Sequence, residues 1–155
     1  MQKGVFFMRF NRQITAAALG ALATLVGELV TWMQVRLGAA PLDMYSIDSL
    51  LITLNRESFW MGFVVNFIVG GAIAVLLNWA LSRYGADNVV NKAIAATLMA
   101  WFLLRLFATA FIEGRVVDPR PLAQYAVHLA GAVGTGVALG VLFKLVLAKG
   151  SARAR

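Results

Sequence analysis

Apolar residues along this chain gather into four long runs separated by short polar stretches. The runs extend from about Ile14 to Leu37, Phe59 to Leu81, Ala93 to Ile112 and Gln124 to Leu147. Each is close to the length of about 20 residues that a helix needs to cross a hydrocarbon core about 30 Å thick. In lipid the backbone has no water to bond, so such a run must close its hydrogen bonds within itself. The pattern predicts an all-α, polytopic transmembrane four-helix bundle, a single membrane domain over 1–155 with tails at 1–13 and 148–155.

The polar punctuation fits these boundaries. Gly38 and Pro41 close the first run, Ser58 is placed to cap the second, and Gly85 follows its end. Asp87 or Asn88 can cap the third, and Asp118 followed by Pro119 can open the fourth. At the N-terminus, Lys3, Arg9 and Arg12 precede an apolar run containing Ala21-Leu22-Ala23, the form of a cleavable signal. The run continues to about Met33, too long for a signal core, so it reads as a retained first span.

Between spans one and two a shorter pattern appears. Met44, Ile47, Leu50, Leu51 and Leu54 recur at helical spacing, with Ser46, Asp48, Ser49 and Asn55 opposite them. This predicts a short amphipathic helix in the outer loop. It can lie on the membrane surface, pack over the bundle mouth as a plug or brace, or re-enter the membrane.

Composition strengthens the membrane reading. Hydrophobic residues make up 61% of the chain and charged residues 14%, against about 45–50% and about 25% in soluble domains. The absence of cysteine excludes disulfides and thiol chemistry. The net charge of +7 suggests anionic lipid headgroups as partners, because the basic residues cluster at span ends. No aromatic and basic stripe points to nucleic acid. Lys3, Arg9, Arg12, Arg83, Lys92, Lys144, Lys149, Arg153 and Arg155 fall on one side of the predicted topology. Arg36, Arg56, Arg115 and Arg120 fall on the other, together with Asp43, Asp48, Glu57, Glu113 and Asp118. Both termini are therefore expected in the cytoplasm. Trp32, Trp60, Trp79, Tyr84 and Tyr125 stand near span ends as interfacial anchors.

Four polar residues inside the spans carry the chemical interest. Glu28 lies nine residues before Leu37, and Arg105 seven before Ile112. Their heights differ by roughly 3 Å at the helical rise, so opposite charges at one depth are expected to pair. A charge at a helix centre costs about 2.5–3.5 kcal/mol on the insertion scale. Asn66 and His128 fall in the same outer half of spans two and four. The pair reads first as a structural clasp, Asn66 as an interhelical hydrogen-bond donor, and His128 as a packing residue. Each span also stacks small or polar residues three or four apart: Ala17, Ala21, Thr24, Glu28, Thr31; Gly62, Asn66, Gly70, Ala74; Thr97, Trp101, Arg105, Thr109; Gln124, His128, Gly131 or Ala132, Thr135. Such faces let helices approach closely in lipid, and the four should meet at the bundle axis. Gly136 and Gly140 add a GxxxG spacing that suits a neighbouring helix or a second copy.

No catalytic, metal or cofactor signature is present. One His and one Glu at membrane depth are too few for a metal site, and there is no P-loop, nucleophile elbow or HExxH. The leading expectation is an accessory or interaction protein held by a Glu28–Arg105 clasp. Its partner would be another membrane protein or a second copy. The rival is a small oligomeric transporter or channel for protons, ions or a small solute, using Glu28, Asn66, Arg105 and His128. A lipid-modifying enzyme ranks last.

The Ala/Gly-rich first span ending in Glu28 and Trp32, with the closing segment Tyr125-Ala-Val-His128-Leu-Ala-Gly131-Ala-Val-Gly134, resembles small bacterial four-span membrane proteins of the YagU/YqhR type. That resemblance implies a bacterial cytoplasmic membrane. It implies no biochemistry and no functional residue.

Overall fold

The computed structural model describes the backbone of residues 2–54, 56–111 and 120–152, and the side chains of 12–54, 56–111 and 120–147. Among the described residues five helices follow one another: α1 (Gln2–Arg36), α2 (Met44–Thr53), α3 (Phe59–Tyr84), α4 (Val89–Phe111) and α5 (Leu122–Ala152). Four of them contain stretches long and apolar enough to span a bilayer: Arg12–Arg36, Phe59–Tyr84, Val89–Phe111 and Leu122–Leu147. The chain is thus an all-α, multi-pass membrane protein. The helices outrun the apolar stretches: α1 begins at Gln2 and α5 reaches Ala152, so much of both expected tails is helical. The third run's predicted end at Ile112 and the Asp118-Pro119 cap lie outside the described residues.

Local chemistry sets the boundaries. The backbone N–H groups of Leu37 and Gly38 turn back to Met33 and Val35, and Gly38 takes a φ of +78° where a side chain would be strained. Ser58 caps α3, its hydroxyl accepting from Met61 N at 3.4 Å. Asp43 caps α2 in the same way, accepting from Ser46 N at 2.7 Å. After α3, Asp87 pairs with Lys92 at 3.3 Å. Its own backbone N–H and then Lys92 hold its carboxyl below the usual range.

Neighbouring spans run antiparallel. Arg12 Nε donates to Asn78 Oδ1 and Asn78 Nδ2 donates to Gln13 Oε1, both at 3.2 Å, tying the start of the first span to the end of the second. α1 packs against both α3 and α5, α4 packs on α5, and α3 and α4 meet only sparsely. Small residues make these approaches possible. A Cβ on Gly20 would stand 2.2 Å from Gly70 O, and one on Gly70 would stand 2.3 Å from Thr24 Cγ2. Gly136 and Gly140 do the same against α4, where a Cβ would meet the Cα atoms of Ile94 and Val90 at 2.6 and 2.5 Å. Of the two uses open to the GxxxG spacing, the structure shows the neighbouring helix. Gly62 packs on α2 rather than on another span: a Cβ there would meet Tyr45 O at 1.9 Å.

α2 seats in the bundle mouth against α3. Its buried residues are Tyr45, Ile47, Asp48, Ser49 and Leu50, while Ile52 and Leu54 are exposed. The expected division of faces needs correcting: Asp48 and Ser49, assigned to the outer polar face, point into the protein. The cause is partner supply. Ser49 Oγ donates to Ser46 O at 2.7 Å and accepts from Ser58 N at 3.0 Å, and Asp48 meets Asn66. α2 is thus packed against the bundle rather than lying apart from it.

Candidate functional site

All four intramembrane polar residues sit in the bundle interior, where the spacing put them. Glu28, Asn66 and His128 are buried and Arg105 is partly buried. Asn66 is the interhelical donor expected of it, whereas Glu28 and Arg105 have other partners than each other. Glu28 Oε2 accepts from Tyr45 N at 3.2 Å and from Thr31 Oγ1 at 3.4 Å. It therefore caps the first turn of α2 from outside, taking one of the backbone N–H groups that a helix start leaves free. Arg105 Nη2 donates to His128 Nδ1, and its charge faces Asp48. The Glu28–Arg105 clasp is thus not formed. Equal depth brought the two helices' charges to one level, but α2 enters that level and supplies each with a different neighbour.

The His128 ring state follows from donor chemistry. A guanidinium only donates, so Nδ1 must accept. Nε2 stands 3.2 Å from Leu42 O and 2.6 Å from Gln124 Nε2. Gln124 Nε2 donates to the same carbonyl, which has two lone pairs, and Gln124 Oε1 accepts from Leu42 N at 3.2 Å. Leu42 precedes Asp43, the cap of α2, so α5 grips the segment that leads into that helix. Sequence reasoning placed Gln124 on the inward stripe but gave it no such task.

Asn66 Nδ2 donates to Asp48 Oδ2 in the interior. Burial pushes the Asp48 carboxyl up to about 6, against the pull of the Arg105 guanidinium and the Asn66 amide. Burial likewise raises the Tyr45 phenol to about 12, with the Glu28 carboxylate adding to the effect. Asp48, Tyr45 and the Leu42 backbone are the site members that sequence reasoning missed. The signal that could have found them is the brevity of the Leu54–Ser58 linker, which keeps α2 beside the start of α3, where Gly62 and Asn66 present a small and polar face.

Below α2 these groups border a chamber of about 50 Å³, with Asp48, Asn66, Arg105, Thr24, Thr97, Trp101 and Thr135 among its walls. The arrangement can hold a small polar group among both donors and an acceptor, under a lid fixed by α1, α3 and α5. No protein-family model, no curated protein and no solved structure matches this chain, so its function is read from the site's own geometry.

Proposed function

We propose that this protein is an accessory membrane protein: a bundle that works by holding another membrane component rather than by turnover or conduction. The observation that carries this reading is the bareness of α4. Only 11% of its span is buried, against 33–44% for the other three. The uncovered face carries Met99, Phe102, Leu103, Leu106, Phe107 and Phe111, an aromatic-rich surface suited to a partner transmembrane helix. The mouth supports the same reading. α2 is tied to Glu28, Asn66, Gln124 and His128, and the space beneath it is a small chamber. The rival reading, a transporter or channel, draws support from the same chamber, with Asp48 and Arg105 on its wall.

The expected setting is a bacterial cytoplasmic membrane with both termini inside. Arg12, Arg83, Lys92 and Lys144 would then meet anionic headgroups. The test is site-specific photo-cross-linking in native membranes. A photoreactive residue at Met99 or Leu106 should give one discrete protein adduct, while the same residue at Leu22 or Leu25 on exposed α1 should give none. Purified protein in liposomes should pass protons and small ions no faster than empty vesicles. Flux that disappears with Asp48→Ala would replace this reading with the transporter.

A further inference from the structure

The sparse contact between α3 and α4 leaves a groove of about 590 Å³ on that side of the bundle, within the range of about 300–1,000 Å³ typical of ligand sites. Its walls are sorted by polarity along its length. α3 and α4 run antiparallel, so Tyr84 and Lys92, next to the turn that joins them, stand at one end, and Ile73 and Leu103 at the other. Besides Tyr84 and Lys92, Trp79 alone among the lining residues carries a polar atom; the rest are aliphatic or methionine. Aromatic and cationic residues belong at the membrane surface. The groove therefore has the polarity of a lipid whose head lies at the turn and whose chain runs inward.

Length and charge narrow that lipid. Tyr84 and Ile73 are eleven residues apart, about 16 Å at the helical rise and close to half of a hydrocarbon core about 30 Å thick. An acyl chain entering at Tyr84 ends where the groove ends. At the mouth the Lys92 ammonium donates to Gly85 O at 3.1 Å and to Asp87 Oδ1 at 3.3 Å. An ammonium has three N–H groups, so one remains for a further acceptor. Arg83 is exposed in the last turn of α3, so this end sets two cations against the Asp87 anion. That balance favours a phosphate head of net negative charge over a zwitterionic one.

A second copy suits the groove poorly. Copies related by an axis along the membrane normal meet at equal depth. The other copy would bring its own groove to the opening, not its Phe102–Phe111 ridge, which lies at the far half of α4. That ridge is what remains for a protein partner, and Met99 and Leu103 border both surfaces.

We propose that the α3–α4 groove binds one anionic phospholipid from the leaflet beside the α3–α4 turn, the cytoplasmic one in the expected topology. Its phosphate rests on Lys92 and one acyl chain follows the groove to Ile73 and Leu103. The site requires the membrane setting but no protein on α4.

The test uses full-length protein in phosphatidylcholine nanodiscs doped with phosphatidylglycerol that carries a diazirine midway along one acyl chain. Adducts are expected on Leu76, Leu77 and Ala80, which lie on α3 and outside the α4 partner face. Unlabelled phosphatidylglycerol should compete at least fivefold better than zwitterionic phosphatidylethanolamine. Lys92→Gln should cut that preference about fivefold, the effect of one basic charge near a headgroup. Asp87→Asn breaks the same ion pair but keeps the cation, so it should retain or increase the preference. Ala95→Phe, on an exposed wall of the groove, should remove the α3 adducts. Thermal melts establish that it folds; if it does not, the Lys92 and Asp87 variants decide. Equal competition by phosphatidylethanolamine would overturn the proposal, as would an unchanged preference in Lys92→Gln. Adducts spread evenly over the exposed faces of α1 and α5 would do the same, since bulk lipid gives that pattern. In native membranes a photoreactive residue at Leu76 should capture no protein, whatever Leu106 captures. A protein adduct at Leu76 would give the groove to a partner helix and end the lipid proposal.

Discussion

Replacing Glu28 separates the two roles open to a buried carboxylate in this bundle. In the structure its Oε2 accepts from Tyr45 N and Thr31 Oγ1. A glutamine keeps an oxygen in that place, so Glu28→Gln should change stability by no more than about 1 kcal/mol, the scale of one charge–dipole contact at a helix N-terminus. Glu28→Leu keeps the bulk and removes the acceptor. It strands the Tyr45 N–H, at a cost of about 1–3 kcal/mol for a buried unpaired donor. Neither variant carries an ionisable group, so their difference isolates the hydrogen bonds, and Leu should fall below Gln by about 1–3 kcal/mol. The measurement is reversible unfolding in mixed micelles as SDS is raised, followed by tryptophan fluorescence. A companion cycle with Arg105→Gln should show coupling under about 0.5 kcal/mol, as for sites without a shared bond. An ion pair predicts the opposite. Breaking it with Glu28→Gln would cost about 3–5 kcal/mol, and the double variant would recover much of that. Either result would refute the capping role.

The remaining predictions concern packing and pH. Gly20→Ala should destabilise by about 1–3 kcal/mol, because its Cβ would meet Gly70 O, a backbone atom, at 2.2 Å. Gly71→Ala, with its nearest neighbour at 3.4 Å, should be tolerated in the same SDS titration. Gly136→Ala should lower stability without altering the oligomeric state seen by light scattering, since its approach is to Ile94 in the same chain. The Asp48 carboxyl, raised from 3.8 to about 6 in the fold, binds its proton more tightly when folded than when unfolded. Its contribution should therefore be full below about pH 4 and be lost as pH rises through 6, by roughly 3 kcal/mol. Glu28, Asp43 and Arg105 surround the same end of the bundle, so the reading is the difference between wild type and Asp48→Asn across pH 4–8. A flat difference would place the Asp48 carboxyl in water.

The helices and their inward faces were legible because lipid leaves the backbone one solution, and a period of 3.6 then fixes which residues share a face. Counting at 1.5 Å per residue brought Glu28 and Arg105 to one depth and Asn66 and His128 into the same half of the membrane, and the structure places all four inside. The partners were not legible, because the count considered only the spans. The level they share is the level at which α2 enters, and α2 read as an ordinary amphipathic helix with its polar side outward. In a membrane that rule can invert. The bundle mouth is the polar environment and the flank is the apolar one, so Asp48 and Ser49 face inward while Ile52 and Leu54 are exposed. Once α2 is included, the costly polar groups share a purpose. Glu28 from α1 holds Tyr45 N, Asn66 from α3 holds Asp48, and Gln124 and His128 from α5 hold Leu42. This ten-residue helix packs mainly on α3 and little on α1. A loop helix of that length is too short to be stable by itself in water. Its fixed position comes from these bonds together with the burial of Tyr45, Ile47 and Leu50 against the bundle, so the buried polar groups of the spans help to order the segment between them, and through it the roof of the chamber.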